Sequence, residues 1–530
     1  MLRIRRTFRG GYRFRKLNGS PKPVLSEAAI PNEVVIPLQQ GFGEEAPSIT
    51  KVGDKVRAGQ VIGIDDASCS SPVHATVNGI VKDARTIELF GQEMGAVIIE
   101  SDGSSDWLEE GGHISRPEAC PTGTAPTMDL AFLGSPSARN SESDLENSDP
   151  DEIGKALYIS GVASLGRCGF PTRYNTSLLQ PEDVDSLVIN AVNSEPFALS
   201  NEILLAGKVD RFLRGIDILR RALPGSVEVH VGIDDRDKEI IKEIEAAACT
   251  GGFETQPYVH PLKPKYPQDH DVVLVRTILG REVPHGGSAS DVRAVVLDVQ
   301  SILHAYEAVM EGKPAIERVL ALGGSGVSEN LFLKVRVGTP LKHIIAPRIR
   351  HNENRYIYGG IMTGALCSDL LTPVDRTASS IAVLAENRTR QFLSFLRPGI
   401  DRDSFSNTFL SSLLPLVDRN LDTNINGEYR PCIYCNYCED VCPMGLMPYL
   451  LSKYVTHDMI EEADSHRILA CIDCGLCTYV CPSKIPLMTH IQEGKTQMGT
   501  IPHTLEEGKQ VSEASSRSPE PPRHKDKKTQ

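Results

Sequence analysis

Eight cysteines late in the chain stand in two copies of one pattern. Cys432-Ile-Tyr-Cys435-Asn-Tyr-Cys438-Glu-Asp-Val-Cys442-Pro443 is echoed by Cys471-Ile-Asp-Cys474-Gly-Leu-Cys477-Thr-Tyr-Val-Cys481-Pro482. Each reads C-x2-C-x2-C-x3-C-P. Thiolates at this spacing wrap three corners of a cubane iron–sulfur cluster, and in two-cluster ferredoxins the fourth cysteine of each run ligates the other cluster. One cluster then takes Cys432, Cys435, Cys438 and Cys481, and the other takes Cys471, Cys474, Cys477 and Cys442. Structural zinc and disulfides are the alternatives. Zinc sites pair two C-x2-C knuckles or mix in histidine, and need no doubled four-cysteine run. The spacing points to two [4Fe–4S] clusters and to one-electron chemistry.

The elements that must position these thiols belong to a long chain. Its 530 residues imply several domains. Composition is ordinary for a globular protein, 40% hydrophobic and 24% charged. No run of about eighteen apolar residues occurs, so no membrane-spanning helix is expected. The start lacks an apolar h-region, so no signal peptide is expected. Of the 13 cysteines, those outside the two runs (Cys69, Cys120, Cys168, Cys249 and Cys367) are scattered, a pattern that fits a reducing cytoplasm. A net charge of −13 argues against general nucleic-acid binding. Arg3, Arg5, Arg6, Arg9, Arg13, Arg15 and Lys16 form a local basic exception, open to an anionic membrane surface, an acidic partner or plain solvation.

In chain order, residues 31–101 read as β, within an N-terminal unit of 1–102. Val34-Val-Ile-Pro-Leu38 is an apolar run, and Gly53-Asp54 and Asn78-Gly79 are turn signals. The pattern resembles the barrel-sandwich fold of lipoyl and biotinyl carriers. The tip Asp65-Asp-Ala-Ser-Cys-Ser70 lacks the carrier lysine, so a structural role is expected. Residues 103–153 are acidic and Ser-rich and read as a disordered insertion, with Trp107 at its start. Residues 154–315 alternate strand and helix, an α/β layer. Ser186–Val192 and Ala294–Val299 read as buried strands, and Val227, Val229 and Val231 as an alternating one. Asn201–Leu223 reads as one helix, and Asp234 as the cap of the helix carrying Ile240, Ile241, Ile244 and Ala248. Residues 316–375 carry two alternating strands and a short helix, Leu341–Ile345. Residues 376–425 connect, with a helical patch at Thr389–Leu396. Residues 426–492 form the ferredoxin-like unit, and 493–530 read as a disordered tail.

Residues 316–375 are similar to the SLBB β-grasp module. The whole order, barrel-sandwich, α/β flavin domain, SLBB and two-cluster ferredoxin, resembles the RnfC family of the Rnf electron transport complex. Local text agrees at Val34-Val-Ile-Pro-Leu-Gln-Gln40, Gly280-Arg-Glu-Val-Pro-His-Gly-Gly287, Val335-Arg-Val-Gly-Thr-Pro340, Cys442-Pro-Met-Gly-Leu446 and Val480-Cys-Pro-Ser-Lys-Ile-Pro486. Cobalamin reductases of propanediol utilisation share the modules in another order. The A component of the Na+-translocating NADH:quinone reductase shares the front half without the cysteine runs. The resemblance implies a peripheral subunit on the cytoplasmic side of the cell membrane. Its partners would be integral membrane subunits and ferredoxin or another electron carrier. NADH would reduce FMN, which feeds the clusters. It implies FMN-binding positions at Gly166, Arg167, Gly169, Phe170, Pro171, Thr172, Asn190 and Glu195.

Three segments depart from the family. The loop G-L-G-G-A-G-F-P-T-x-x-K is here Gly161-Val-Ala-Ser-Leu-Gly166-Arg167-Cys168-Gly169-Phe170-Pro171-Thr172-Arg173-Tyr174-Asn175. N-G-A-E-C-E-P is Asn190-Ala-Val-Asn193-Ser194-Glu195-Pro196. Y-P-Q-G-G-E-K is Tyr266-Pro-Gln-Asp269-His270-Asp271-Val272. All three are expected to line one pocket. Arg167 could fill it or could bind a phosphate. Cys168 reads as a small buried space-filler, and His270 with Asp271 as too few ligands for a metal. Three functions stay open: NADH input to a larger complex, a non-catalytic electron conduit with a degenerate flavin site, and a soluble cobalamin-reductase-like protein.

Overall fold

A computed structural model describes residues 7–14, 17–64, 71–104, 106–107, 149–172, 179–251, 253–351, 353–386, 405 and 430–500. The tip at 65–70, nearly all of the acidic insertion, Arg173–Asn175, the connecting patch at Thr389–Leu396 and residues 501–530 lie outside these. So do Cys69, Cys120 and the basic residues at 3, 5, 6, 15 and 16.

The chain's first strand, β1 (Leu25–Glu27), leaves the N-terminal unit to join a distant sheet. The unit itself is β throughout. Strands β2 (Glu33–Pro37), β3 (Lys55–Val56), β6 (Gly79–Leu89) and β7 (Gln92–Ser101) form an antiparallel sheet in the order β2-β7-β6-β3. Strands β4 (Val61–Gly63) and β5 (Val73–His74) pair beside it. Val34, Ile36, Val81, Val97 and Ile99 fill its core. Its tight hairpin turns at Phe90-Gly91, both left-handed at φ 52° and 82°. The Asn78-Gly79 signal is not a hairpin. Gly79 opens β6, and the Asn78 amide oxygen accepts the Ala58 N–H at 2.8 Å.

The α/β unit holds a fully parallel sheet of β8 (Ser186–Ala191), β9 (Glu228–Asp234), β10 (Tyr258–Leu262) and β11 (Ala294–Asp298), in the order β10-β9-β8-β11. Both faces are covered, which explains the unbroken apolar runs. Leu187, Ile189, Val295 and Leu297 face the helices Pro150–Ile159, Val209–Ala222 and Val299–Met310. Val188 and Val296 face the helix Asp271–Ile278. Two expectations need correction. The stretch 201–223 is two helices, Asn201–Leu205 and Val209–Ala222, broken at the left-handed Gly207. Asp234 does not cap the helix Lys238–Thr250. Asp237 stands at that position, while the Asp234 carboxylate accepts the Arg236 backbone N–H at 2.9 Å and pairs with its guanidinium.

The third unit is a six-stranded sheet. Strands β12 (Glu317–Gly323), β13 (Leu331–Arg336), β14 (Asn354–Tyr358), β15 (Ala365–Cys367) and β16 (Ser380–Ala385) come from one stretch of chain. Strand β1 completes it by pairing parallel with β13, in the order β1-β13-β12-β16-β14-β15. The cysteine-rich unit is short helices around the two runs. Its last helix, Leu487–Thr500, extends past the expected tail boundary and packs on Pro448–Thr456.

Three of the units meet at one apolar junction. Leu17, Phe197, Tyr266, Ile357, Met362, Val441, Cys474 and Leu476 cluster there, with Tyr12, Phe14 and Tyr479 against them. An N-terminal arm threads it. Tyr12 bridges to Tyr266, and the Gly11 N–H donates to the Val441 carbonyl at 2.7 Å. A Cβ at Gly10 would lie 2.5 Å from the Cys442 carbonyl oxygen, and one at Gly11 would lie 2.7 Å from that of Tyr266. Both residues are left-handed at φ 73°, so the arm requires glycine twice.

Candidate functional site

The strand order of the parallel sheet reverses at β8. Strands β9 and β10 lie on one side and β11 on the other. Ligands of open parallel sheets sit beyond the strand C-termini at such a point. The loop 161–172 crosses there. A Cβ on Gly166 would meet the Leu297 Cδ2 at 3.0 Å and the Val296 oxygen at 3.1 Å, at the end of β11. The loops after β8 and β10 close the same crevice.

The three altered segments meet in it. The Arg167 Nη1 lies 3.0 Å from the His270 Nε2, and its Nε lies 3.3 Å from the Asp271 carboxylate. The Ser194 hydroxyl donates to the Asp269 carboxylate. The Asn190 amide donates to the Asp269 carbonyl at 2.7 Å. Asn193 accepts from the Asn201 amide at 3.0 Å. Residues that replace the family's glycines and acids therefore partner one another. Arg167 leans across the crevice while 63% of its side chain stays exposed. Gly166 is exposed and left-handed at φ 85°, and Gly169 is left-handed at 66°. Phe170 is fully buried in the α/β core, and Pro171 and Thr172 are buried beside it. These three anchor the loop. Cys168 is half-exposed rather than a core filler, and its Sγ reaches the Ser288 hydroxyl at 3.4 Å.

Glu195 turns from the crevice into the β-grasp sheet. Its carboxylate accepts the Met362 N–H at 2.6 Å and the Thr363 N–H at 3.1 Å. A Cβ on Gly360 would come within 2.0 Å of it. Burial and the neighbouring Asp269 push Glu195 up to about 7. Burial likewise raises Asp269, and raises Asp271 against the opposing pull of Arg167. Burial and the cations Arg167 and Lys495 lower His270 to about 3, so its ring is neutral.

The eight cysteines of the two runs fall into two groups. Cys432, Cys435, Cys438 and Cys481 line one pocket with Ile433, Tyr434, Tyr449 and Ile485. Ile433 and Tyr434 are 65% and 59% exposed, so this pocket opens on the surface. Cys442, Cys471, Cys474 and Cys477 lie within electrostatic reach of one another, Cys477 also of Cys438, and Cys474 belongs to the junction cluster. Burial pushes Cys438 up to about 11 and Cys471 to about 12, and raises Cys442, Cys474 and Cys477. Thiols raised in this way release their protons as they ligate a metal. Among the described residues, no three His, Cys, Asp or Glu side chains converge on a single ion. Four sulfur donors set apart around a pocket fit a cubane.

Crevice and inner thiol group touch directly. The Tyr266 hydroxyl donates to the Cys474 carbonyl at 2.8 Å. The Gly286 N–H donates to the Leu469 carbonyl at 3.1 Å. The Lys495 ammonium donates to the Cys471 carbonyl at 2.5 Å and to the Asp473 carboxylate at 2.8 Å. Sequence reasoning noticed Tyr266 only as part of a retained Tyr-Pro-Gln. Lys495 lies in what read as a tail and gave no signal.

Four family models match in chain order. They are the RnfC barrel sandwich hybrid domain at 6–104, the Nuo51 FMN-binding domain at 157–307, the NQRA C-terminal domain at 319–369 and a 4Fe-4S dicluster domain at 431–485. The C component of the proton-translocating ferredoxin:NAD(+) oxidoreductase complex of Clostridium ljungdahlii is 28% identical over 86% of each chain. The C component of the Na(+)-translocating ferredoxin:NAD(+) oxidoreductase complex of Acetobacterium woodii is 27% identical over 93% of this chain and 97% of that one. The corresponding component of the ion-translocating oxidoreductase complex of Serratia proteamaculans is 28% identical over 90% of this chain but 59% of its own, so this chain spans little more than half of it. A NAD+-reducing [NiFe]-hydrogenase structure shares 15% identity at a TM-score of 0.41, over 73% of this chain and 72% of that one, a likeness too slight to build on. No described helix is long and apolar enough to cross a membrane. An FMN-binding domain of the Nuo51 type is thus joined to a dicluster domain and flanked by a barrel sandwich and a β-grasp, and the chain belongs to the RnfC family of ion-translocating oxidoreductase complexes.

Proposed function

We propose that this chain is the electron-input subunit of a membrane-bound, ion-translocating oxidoreductase, taking electrons from NADH. The observation that carries the reading is the direct contact of the crevice with the inner thiol group, through Tyr266 to Cys474, with Gly286 bonded to Leu469 beside it. Bound FMN supplies the conversion of a hydride donor into single electrons. Gly166 and Gly169 would hold it through backbone approach, and the exposed Arg167 would supply a cation for its phosphate. Phe170, Pro171 and Thr172 brace that loop. Asn190 and Glu195 position it through Asp269 and the 362–363 turn. Cys432, Cys435, Cys438 and Cys481 would ligate one cluster, and Cys442, Cys471, Cys474 and Cys477 the other. The chain would sit peripherally on the cytoplasmic side, against integral membrane subunits that carry the ion path, with ferredoxin or another carrier at the far end.

One observation favours a second reading. Arg167 already has Asp271 and His270 as partners. A crevice satisfied by its own side chains fits a conduit fed by a protein donor. Anaerobic addition of NADH to the FMN- and cluster-loaded protein separates the two. Bleaching of flavin and cluster absorption is expected. Bleaching by dithionite but not by NADH overturns the input reading and leaves the conduit.

A further inference from the structure

The two thiol groups sit in different electrostatic surroundings. The outer group opens on the surface beside Ile433 and Tyr434. The inner group is enclosed, and two donors reach its backbone from outside the two cysteine runs. The Tyr266 hydroxyl, buried at 2% exposure, comes from the crevice loop and meets the Cys474 carbonyl at 2.8 Å. The Lys495 ammonium comes from the last helix and meets the Cys471 carbonyl at 2.5 Å. Lys495 also offsets Asp473, which lies between those two cysteines. Tyr266 stands three residues before Asp269, which binds Asn190 and Ser194 in the crevice.

From this geometry we propose that the cluster held by Cys442, Cys471, Cys474 and Cys477 is the first to accept an electron from the crevice, and that Tyr266 and Lys495 are the positioning residues that raise its potential for that role. Reduction adds one electron to the four-iron core. It breaks no bond to the protein and needs no proton. The extra negative charge is favoured by the buried Tyr266 O–H dipole and by an ammonium held at the partly exposed edge of the ligand loop. Around the outer group the Ser483 hydroxyl donates to the Pro431 carbonyl at 2.9 Å, and Lys453, within electrostatic reach of Cys432, lies over the exposed Tyr434 ring without a bond to the ligand-loop backbone among the described contacts. The outer cluster then relays the electron to the surface at Tyr434. The proposal rests on the cluster assignment above, and on NADH input only for the source of the electron.

The test is a mediated redox titration of the full-length, cluster-loaded protein, followed by electron paramagnetic resonance, with iron and flavin content measured. In Tyr266→Phe and in Lys495→Gln, the same one of the two cluster couples is expected to move to lower potential while the other stays. For Lys495→Gln the expected change is at least tenfold in the oxidised-to-reduced ratio, about 59 mV for a one-electron couple. Lys495→Arg should restore most of it. Tyr434→Phe, at the outer pocket, should leave the shifted couple where it is in the wild type. Two unmoved couples, or equal movement of both, overturn the proposal. If Tyr266→Phe loses iron, Lys495→Gln decides alone. A couple that moves as expected in a protein that NADH cannot reduce sinks the input reading and leaves this one standing. Normal NADH bleaching with unmoved couples does the reverse.

Discussion

Glu195 shows how one side chain can serve two units. It lies at the crevice but bonds to the β-grasp turn, and its carboxyl is raised from 4.5 to about 7. Between those values the folded state holds a proton that the unfolded state has lost. Stability therefore falls as pH rises through that window and levels above it. By the linkage constant the whole effect is roughly 3 kcal/mol. Unfolding by urea at pH 5 and pH 8 should show a smaller pH dependence in Glu195→Gln than in the wild type, with the variant gaining stability at pH 8. Identical slopes would mean that Asp269, raised in the same direction, carries the proton instead. None of this was legible in the sequence. A retained Glu two residues after an altered Asn193 reads as a ligand contact, and nothing local says that its oxygens point at Met362 and Thr363. The cysteines are the opposite case. The spacing within each run brings three thiols together because the ligand loop is short, while the fourth thiol of each group, Cys481 or Cys442, comes from the other run and was expected only from the two-cluster pattern.

At the scale of elements, the strands were readable and the joints were not. Buried runs such as Ser186–Ala191 and Ala294–Asp298 announce themselves because a parallel strand covered on both faces must be apolar throughout. The break at Gly207 and the hairpin at Phe90-Gly91 were missed. Both hinge on left-handed residues inside patterns that looked continuous. The N-terminal arm was invisible for a stronger reason. Its partners, Tyr266 and Val441, lie far away in the sequence, and a stretch rich in Arg and Gly reads as solvated. Gly10→Ala or Gly11→Ala places a methyl group against the Cys442 or the Tyr266 carbonyl in a left-handed backbone. Each should cost about 1–3 kcal/mol. Limited proteolysis should then cut the arm faster than in the wild type, and inner-cluster iron should be lost sooner under a chelator. Unchanged cleavage and iron retention would show that the arm is merely laid on the surface.

For the whole molecule, the cores are unequal. The α/β unit has a continuous apolar core around two layers of helix. The cysteine-rich unit has only small apolar groups in which several of its own cysteines participate. Metal–thiolate bonds must supply much of its folding free energy, as in other small metal-held domains. Removing iron should abolish amide-exchange protection in the helices Pro448–Thr456 and Leu487–Thr500, while protection in β8 and β11 persists. Uniform loss would mean that the junction makes the chain a single cooperative unit. The succession of β, α/β and cysteine-rich stretches was legible from periodicity and cysteine spacing, and the identity of each module from the family resemblance. The packing of modules around Tyr266 was not, because interface residues follow no period.

The arm also fixes an order of events during synthesis. Phe8 accepts a hydrogen bond from Lys265, 257 residues later, and Gly11 waits for Val441. The leading residues leave the ribosome long before either partner exists. Strand β1 likewise waits for β13. This early-translated segment is therefore among the last to find its place, and it locks the assembly only once the cysteine-rich unit has been made. A bulky tag fused ahead of residue 8 would burden that final docking step.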